Sequence, residues 1–367
     1  MQHYVIDNLN KDTFSSIPFV PTLCIGFYIS GEEKYFESQC KKLKKKFPNI
    51  DIIACSTESN LQDTFPFISH NKIQLACIDI AKDAYEINHI EHENPKFDLK
   101  KNHTYDAIIF SPYENKDIED FLFIAKNKLG HGKIFGALSA SRDINHVATS
   151  VYYNGEFFTE NLGTIMWFID KKYYDVQGLS MHTFMPIGLE LNVTKFKGKE
   201  LLEIESNPAL EMIEDIIGKL DDEGIANFEY SFFISEQKDT NFNSLASIQS
   251  IDRKNKSITL YKDVNSKMKI TLSIPALKKE QKIRMRQLIN TGYNNGFSFL
   301  FTCFAFKQQW KELESLYIMQ VAKQLKTHFI GCHTFGEIGP LNTTSSSYLQ
   351  NQTLTLINIQ KKKNTHA

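Results

Sequence analysis

The sequence predicts an α/β protein made of repeated β-α-β units with mixed sheets and a sheet-rich middle segment, arranged as two packed domains. Three observations predict it. Strand-like and helix-like stretches alternate in the same order three times along the chain. Two distant corners, ACSTESNL at 54–61 and GCHTFGEIGP at 331–340, share a small residue, a cysteine, a polar residue and a threonine. Between 176 and 296 the pattern is mostly strand-like.

In chain order, TLCIGFYI (22–29) is a continuous apolar run and reads as a buried strand. GEEKYFESQCKKLKKKF follows, with Tyr35, Phe36, Cys40, Leu43 and Phe47 on one helical face and lysines on the other. Its acidic residues come first and its basic residues last, which suits the helix dipole; Pro48 and Asn49 stop it. IDIIACST is the second strand and ends at the first corner. The order returns with YDAIIFS, the helical NKDIEDFLFIAKNKLG and the strand KIFGALSA. It returns again with FSFLFTCFAF, KQQWKELESLYIMQVAKQLK read as one helix, and THFIGCHTF. Each β-α-β connection makes a parallel pair. After each corner comes a further strand-rich stretch: KIQLACIDI (72–80), ATSVYYNGEFFTENLGTIMWFI (148–169) with a hairpin turn at Asn154-Gly155, and YLQNQTLTLINI (348–359). In the middle segment, NPALEMIEDIIGKLDDEG is a helix with Pro208 near its start and Gly218 near its end. Strand-like runs surround it, and a domain boundary is expected near 200–225.

Composition narrows the function. The chain has 367 residues, 42% of them hydrophobic and 28 of them Phe, enough for a sizeable core. The formal net charge of −1 lacks the basic footprint of a nucleic-acid binder. The polar N-terminus MQHYVIDNLN is not a signal peptide, and no apolar run is long enough to span a membrane. The six cysteines form no C-x-x-C pair and sit mostly in apolar runs, as reduced core cysteines do. A cytoplasmic protein is expected.

VQGLSMHTFMPIG, NVTKFKGKELLEIESNPALEMI and IGCHTFGEIGP…QNQTLTLINI, with DIIACSTES, KIFGALSAS and YYNGEF before them, resemble the motifs of the FIST sensory domains in the same order. The resemblance spans roughly residues 15–360 and implies an N-terminal FIST domain at 15–205 and a C-terminal one at 206–360. This chain departs from the family pattern at Ser59-Asn60, at Ala137 and Ser141, and at His182, Phe184 and His333. The resemblance implies a bacterial receptor without catalysis of its own, which binds an amino acid or metabolite. It would signal in trans to a partner such as a histidine kinase, a cyclase or a chemotaxis component, because no output domain is appended. One branch of the family binds haem and senses nitric oxide, acting on a histidine kinase or a cyclic-di-GMP enzyme. That alternative makes haem a cofactor to consider here.

The candidate ligand-binding residues lie at the corners, because ligands of parallel sheets bind beyond the carboxyl ends of the strands. They are Ser56, Thr57, Ser139, His333, Thr334, Gly336 and Glu337. Hydroxyls supply donors and acceptors, glycines admit a ligand to the backbone, and Glu337 would meet an ammonium. His182, His333 and His146 are the haem candidates. Cys55 and Cys332 are read as core cysteines, since His333 points to the face opposite Cys332. The His/Glu-rich stretch 86–104 is read as a solvated loop rather than a metal site. The sequence contains no G-x-S-x-G, Walker, dinucleotide-binding or H-E-x-x-H motif.

Overall fold

The computed structural model describes residues 1–6, 13–64, 66–114, 118–142, 148–159, 163–236, 244–265, 268–276, 278–289, 296–325, 327–342 and 346–362. Three six-stranded mixed sheets share one plan. The first runs Gln2–Ile6, Ile73–Asp79, Leu23–Ile29, Asp51–Thr57, Ser150–Tyr153, Glu156–Thr159. The second runs Tyr85–Ile90, Thr164–Asp170, Tyr105–Ser111, Ile134–Leu138, Gly336–Gly339, Tyr348–Gln350. The third runs Tyr174–His182, Thr353–Lys361, Phe297–Cys303, Phe329–Thr334, Asn60–Gln62, Ile68–Ser69. In each, the third and fourth strands are the parallel pair of a β-α-β unit, and every other pairing is antiparallel.

The last two strands of each sheet come from another unit. The chain leaves the first corner and pairs Asn60–Gln62 with the third unit's Phe329–Thr334. It leaves the third corner and pairs Gly336–Gly339 with the second unit's Ile134–Leu138. It leaves the second corner and pairs Ser150–Tyr153 with the first unit's Asp51–Thr57. The exchange therefore closes a three-membered cycle. The hairpin at Asn154-Gly155, both with positive φ, forms as expected, but on the first sheet rather than with its own unit.

Because these strands are buried on both faces, they read as continuous apolar runs. Their inner faces meet in a common core. At its middle Phe27, Phe110 and Phe301 occupy equivalent positions, opposite Cys55, Ala137 and Cys332 in their parallel pairs. Their rings form a triangle with centroid separations of 6.3, 5.8 and 6.1 Å, all edge to face, the geometry that aromatic quadrupoles favour. Helix α1 (Glu33–Lys46) covers the outer face of the first sheet and α2 (Ile118–Leu129) that of the second.

The middle segment forms a separate small body. Met268–Pro275, Leu191–Lys197, Glu200–Ile204, Ser257–Leu260, Ser244–Asp252 and Ser231–Glu236 pair antiparallel in a closed circuit, with Phe184–Pro186 added to Met268–Pro275. Helix α3 (Ala209–Ile217) begins after Pro208 and ends at Gly218 (φ 85°), as the sequence predicts. It packs into the apolar core of this barrel together with residues near α4 (Asp222–Ala226), which Asp221 caps with two side-chain hydrogen bonds.

Helix α5 (Lys278–Ile289) leads to the third unit, where the expected single helix is two: α6 (Phe304–Trp310) and α7 (Glu312–Gln324). The break is at Lys311, whose φ of 47° cannot continue a helix. This turn carries α7 back over the third sheet, where Ile318 and Val321 are buried. The stretch expected as a solvated loop is irregular and mostly exposed over 91–104, yet its histidines have partners. His89 lies in the strand Tyr85–Ile90 and stacks on Phe158, His92 stacks on Phe121, and His103 pairs with Asp170 at 2.5 Å. Among the described residues no group of three or more His, Cys, Asp or Glu could hold a metal ion. No helix among them is long and apolar enough to cross a membrane.

Candidate functional site

The three corners sit at the carboxyl ends of the parallel strands, and the six corner side chains singled out from the sequence are all fully buried. Ser56 Oγ donates to the Ala140 carbonyl and accepts from Ser150 N–H, so it fastens the exchanged strand. Thr57 Oγ1 lies 2.9 Å from the Ser59 carbonyl and 2.8 Å from that of His333, joining the first and third corners. Ser139 Oγ donates to the Ser111 carbonyl. Gly336 is packed so closely that a Cβ there would come within 3.0 Å of Leu349.

His333 is held at both ring nitrogens, by Ser59 Oγ at Nδ1 (2.7 Å) and by Glu314 Oε1 of α7 at Nε2 (2.9 Å). Thr302 also donates to that carboxylate oxygen. Burial pushes the neighbouring Glu58 carboxyl upward, but His333, a 2.7 Å contact with Lys307 and the Ser59 hydroxyl outweigh it and hold it below its usual range. Serine, imidazole and carboxylate thus stand in a row. Ser59, His333 and Glu314 have no exposed surface, and none lines the cavity described below.

Glu337 accepts from Thr353 Oγ1 at 2.5 Å and contacts the Thr334 hydroxyl, which also lies 3.3 Å from the Thr302 carbonyl. Burial raises its carboxyl to about 8 despite these bonds. The corners therefore gather Thr57, His333, Thr334 and Glu337 into the junction between units. Ser56 ties the first corner to the second unit, and Ser139 holds its own strand end.

Two of the three haem candidates are held by protein groups. His333 has no free ring nitrogen. His182 Nδ1 accepts from Arg284 Nη1 at 2.7 Å and from Phe184 N–H, and desolvation with the adjacent guanidinium lowers the imidazole to about 3. Neither lines the cavity described below. His146 lies outside the described residues. All six cysteines are free and buried, and Cys332 has its thiol raised by burial and by contact with Cys55.

A cavity of about 540 Å³ opens directly over the third corner, between the barrel and the strand ends. The α/β units supply Tyr113, just past the strand Tyr105–Ser111; Cys303, Phe304 and Ala305, where the strand Phe297–Cys303 turns into α6; and Phe335, between Thr334 and Gly336. The barrel side supplies Phe228, Tyr261, Ser247, Gln249 and Ser250. Phe335 packs edge-on against Tyr113 (5.1 Å) and Phe304 (5.8 Å), and Phe228 lies 5.9 Å from Tyr261. Burial pushes the Tyr113 phenol up to about 12.

The turn Gln350–Gln352 closes the cavity and ties the barrel to the units. Leu245 N–H donates to Gln350 Oε1, Asn351 N–H to the Leu245 carbonyl, and Gln352 Nε2 reaches Ser231 and Ser247. Asn351 also lines the cavity. It is 7% exposed, and its Oδ1 has no hydrogen-bond partner. A buried amide oxygen left without a donor costs about 1–3 kcal/mol. Sequence reasoning missed Asn351 and the aromatic walls. Asn351 and Phe335 do fall inside the quoted strings QNQT and HTFGEIGP; Tyr113, Phe228, Tyr261 and Phe304 carry no local signal.

Comparison with known families places this geometry. The FIST N domain model matches residues 22–207, and the FIST C domain model matches 209–340. The chain belongs to the FIST family. FIST domains are sensory domains of signal-transduction proteins, and the two occur here in tandem. Each of the second and third sheets draws strands from both FIST segments. No curated protein matches the chain.

Proposed function

We propose that this FIST protein is a non-catalytic receptor that binds a small molecule in the cavity over the third corner and signals to a partner in trans, such as a histidine kinase, a cyclase or a chemotaxis component. The observation that carries the reading is a concave aromatic site of ligand-binding size whose wall includes Asn351, a residue with a buried, unpartnered amide oxygen. The corner residues Thr57, His333, Thr334 and Glu337 support that site from beneath and link it to the other units, rather than touching the ligand themselves. Binding shifts the barrel relative to the three-sheet body, since the two supply opposite sides of the cavity.

A thermal-shift screen of amino acids and metabolites on the full chain tests this. Hits should lose affinity in Phe335→Ala and keep it in Phe123→Ser, a change of an exposed residue on α2. Hits that bind Phe335→Ala and the unaltered chain equally would refute the site.

A further inference from the structure

The lining of this cavity restricts the chemistry of its occupant. Among the described residues, no Asp, Glu, Lys, Arg or His lines it. A zwitterionic amino acid would bring a carboxylate into the site with no cation to meet it, and a desolvated, unpaired charge is costly. What the site does offer is two sets of aromatic rings from two different bodies: Tyr113, Phe304 and Phe335 from the units, Phe228 and Tyr261 from the barrel side. Between them stands one amide whose oxygen lacks a donor. A flat molecule satisfies both features if the Asn351 amide, whose oxygen is sealed from the cavity, turns toward it on binding: its faces stack on rings while its edge reaches the amide. A carboxamide of this kind pairs with an amino group next to a ring nitrogen: its oxygen accepts the amino N–H and its NH₂ donates to the ring nitrogen.

Building on the proposed ligand site, we infer that its ligand is an uncharged planar heteroaromatic molecule carrying an amino group beside a ring nitrogen, the edge chemistry of an aminopurine or aminopyrimidine, with Asn351 as the residue that reads that edge. The competing occupant is a lone organic cation, which aromatic faces also attract.

Isothermal titration calorimetry on the full chain separates these. The probes are adenine and cytosine, with choline and L-phenylalanine as the cationic and zwitterionic comparisons. Saturable 1:1 binding of adenine or cytosine is expected, with choline and L-phenylalanine at least ~10-fold weaker. Asn351→Ala keeps the backbone bond to Leu245 and should weaken base binding at least ~10-fold. Ser250→Trp, at the exposed rim, should block it without disturbing the floor. Loss of base binding in both variants, each with an unaltered far-ultraviolet circular dichroism spectrum, supports the inference. If choline or L-phenylalanine binds more tightly than the bases and is lost in the variants, the ligand class falls while the site stands. If the bases bind but neither variant changes their affinity, the site falls and the inference with it. Absence of saturable binding by both bases also overturns the class.

Discussion

Replacing Glu337 by Gln isolates one buried carboxyl whose protonation the fold controls. In the folded chain burial raises this group from 4.5 to about 8. The direction of the linkage follows. Below pH 4.5 both folded and unfolded chains hold the proton, and the group contributes no pH dependence. Between 4.5 and 8 the unfolded chain has released it while the folded chain retains it, so stability falls as pH rises, by ~1.4 kcal/mol per unit at most. Above 8 the penalty is complete, with an upper bound of ~5 kcal/mol for the whole interval. Glutamine cannot ionise, and the Thr334 and Thr353 hydroxyls that contact Glu337 can accept from its amide. The protonated acid is compatible with the same contacts: Thr334 turns its proton to the Thr302 carbonyl and accepts from the carboxyl. Melting temperatures of the unaltered chain and Glu337→Gln, measured from pH 5 to 9, should therefore diverge steadily, with the variant gaining relative stability toward high pH. Taking the difference cancels groups that titrate alike in both. Parallel curves across this range would show that Glu337 is ionised in the folded protein and would refute the reasoning.

Phe301→Ala should cost about 3–5 kcal/mol, because it empties one corner of a fully buried ring triangle; a chemical-denaturation shift of under ~1 kcal/mol would remove the triangle from the core's framework. Thiol labelling should be negligible in the native chain and should reach all six cysteines only with unfolding, since every one is buried; rapid native labelling of Cys55 or Cys332 would revive a nucleophile reading. Haemin titration should give no saturable Soret band, because His182 and His333 are both engaged by protein groups; a one-to-one band abolished by His182→Ala or His333→Ala would reverse that conclusion.

The three strand–helix–strand units are legible in the sequence because their strands are long apolar runs and α1 and α2 carry one-sided apolar faces. The exchange between units is not. Asn60–Gln62 and Gly336–Gly339 are three and four residues long and carry no alternation. Their sheet is chosen by which unpaired edge lies nearest after the corner, a property of the assembled core. The same limit applies to the site. Ser and Thr at the corners look like ligand groups in the sequence, but in this core they satisfy buried backbone carbonyls, within a unit as Ser139 does for Ser111 or across units as Thr57 does for His333. Along Thr334, Phe335 and Gly336 it is the middle residue, an aromatic, that faces the cavity. Asn351 depends on the barrel's position, fixed by contacts to Leu245 that are remote in sequence.

Phe335 explains why a cavity at this place suits a sensor. Thr334 before it is the last residue of a strand in the third sheet, and Gly336 after it is the first of a strand in the second. Its own N–H donates to the Leu138 carbonyl of the second corner. The ring thus rests on the one link through which the third corner enters the second sheet, while Asn351 sits in the turn that leads from the second sheet back to the third and binds the barrel. A molecule held between Phe335, Asn351 and the barrel touches both chain crossings between those sheets at this end, together with the body that faces them. Because packed cores switch between discrete arrangements rather than deforming continuously, on the proposed ligand reading a small displacement at either crossing would be passed to a whole sheet. A ligand on the outer helices would act on one unit alone.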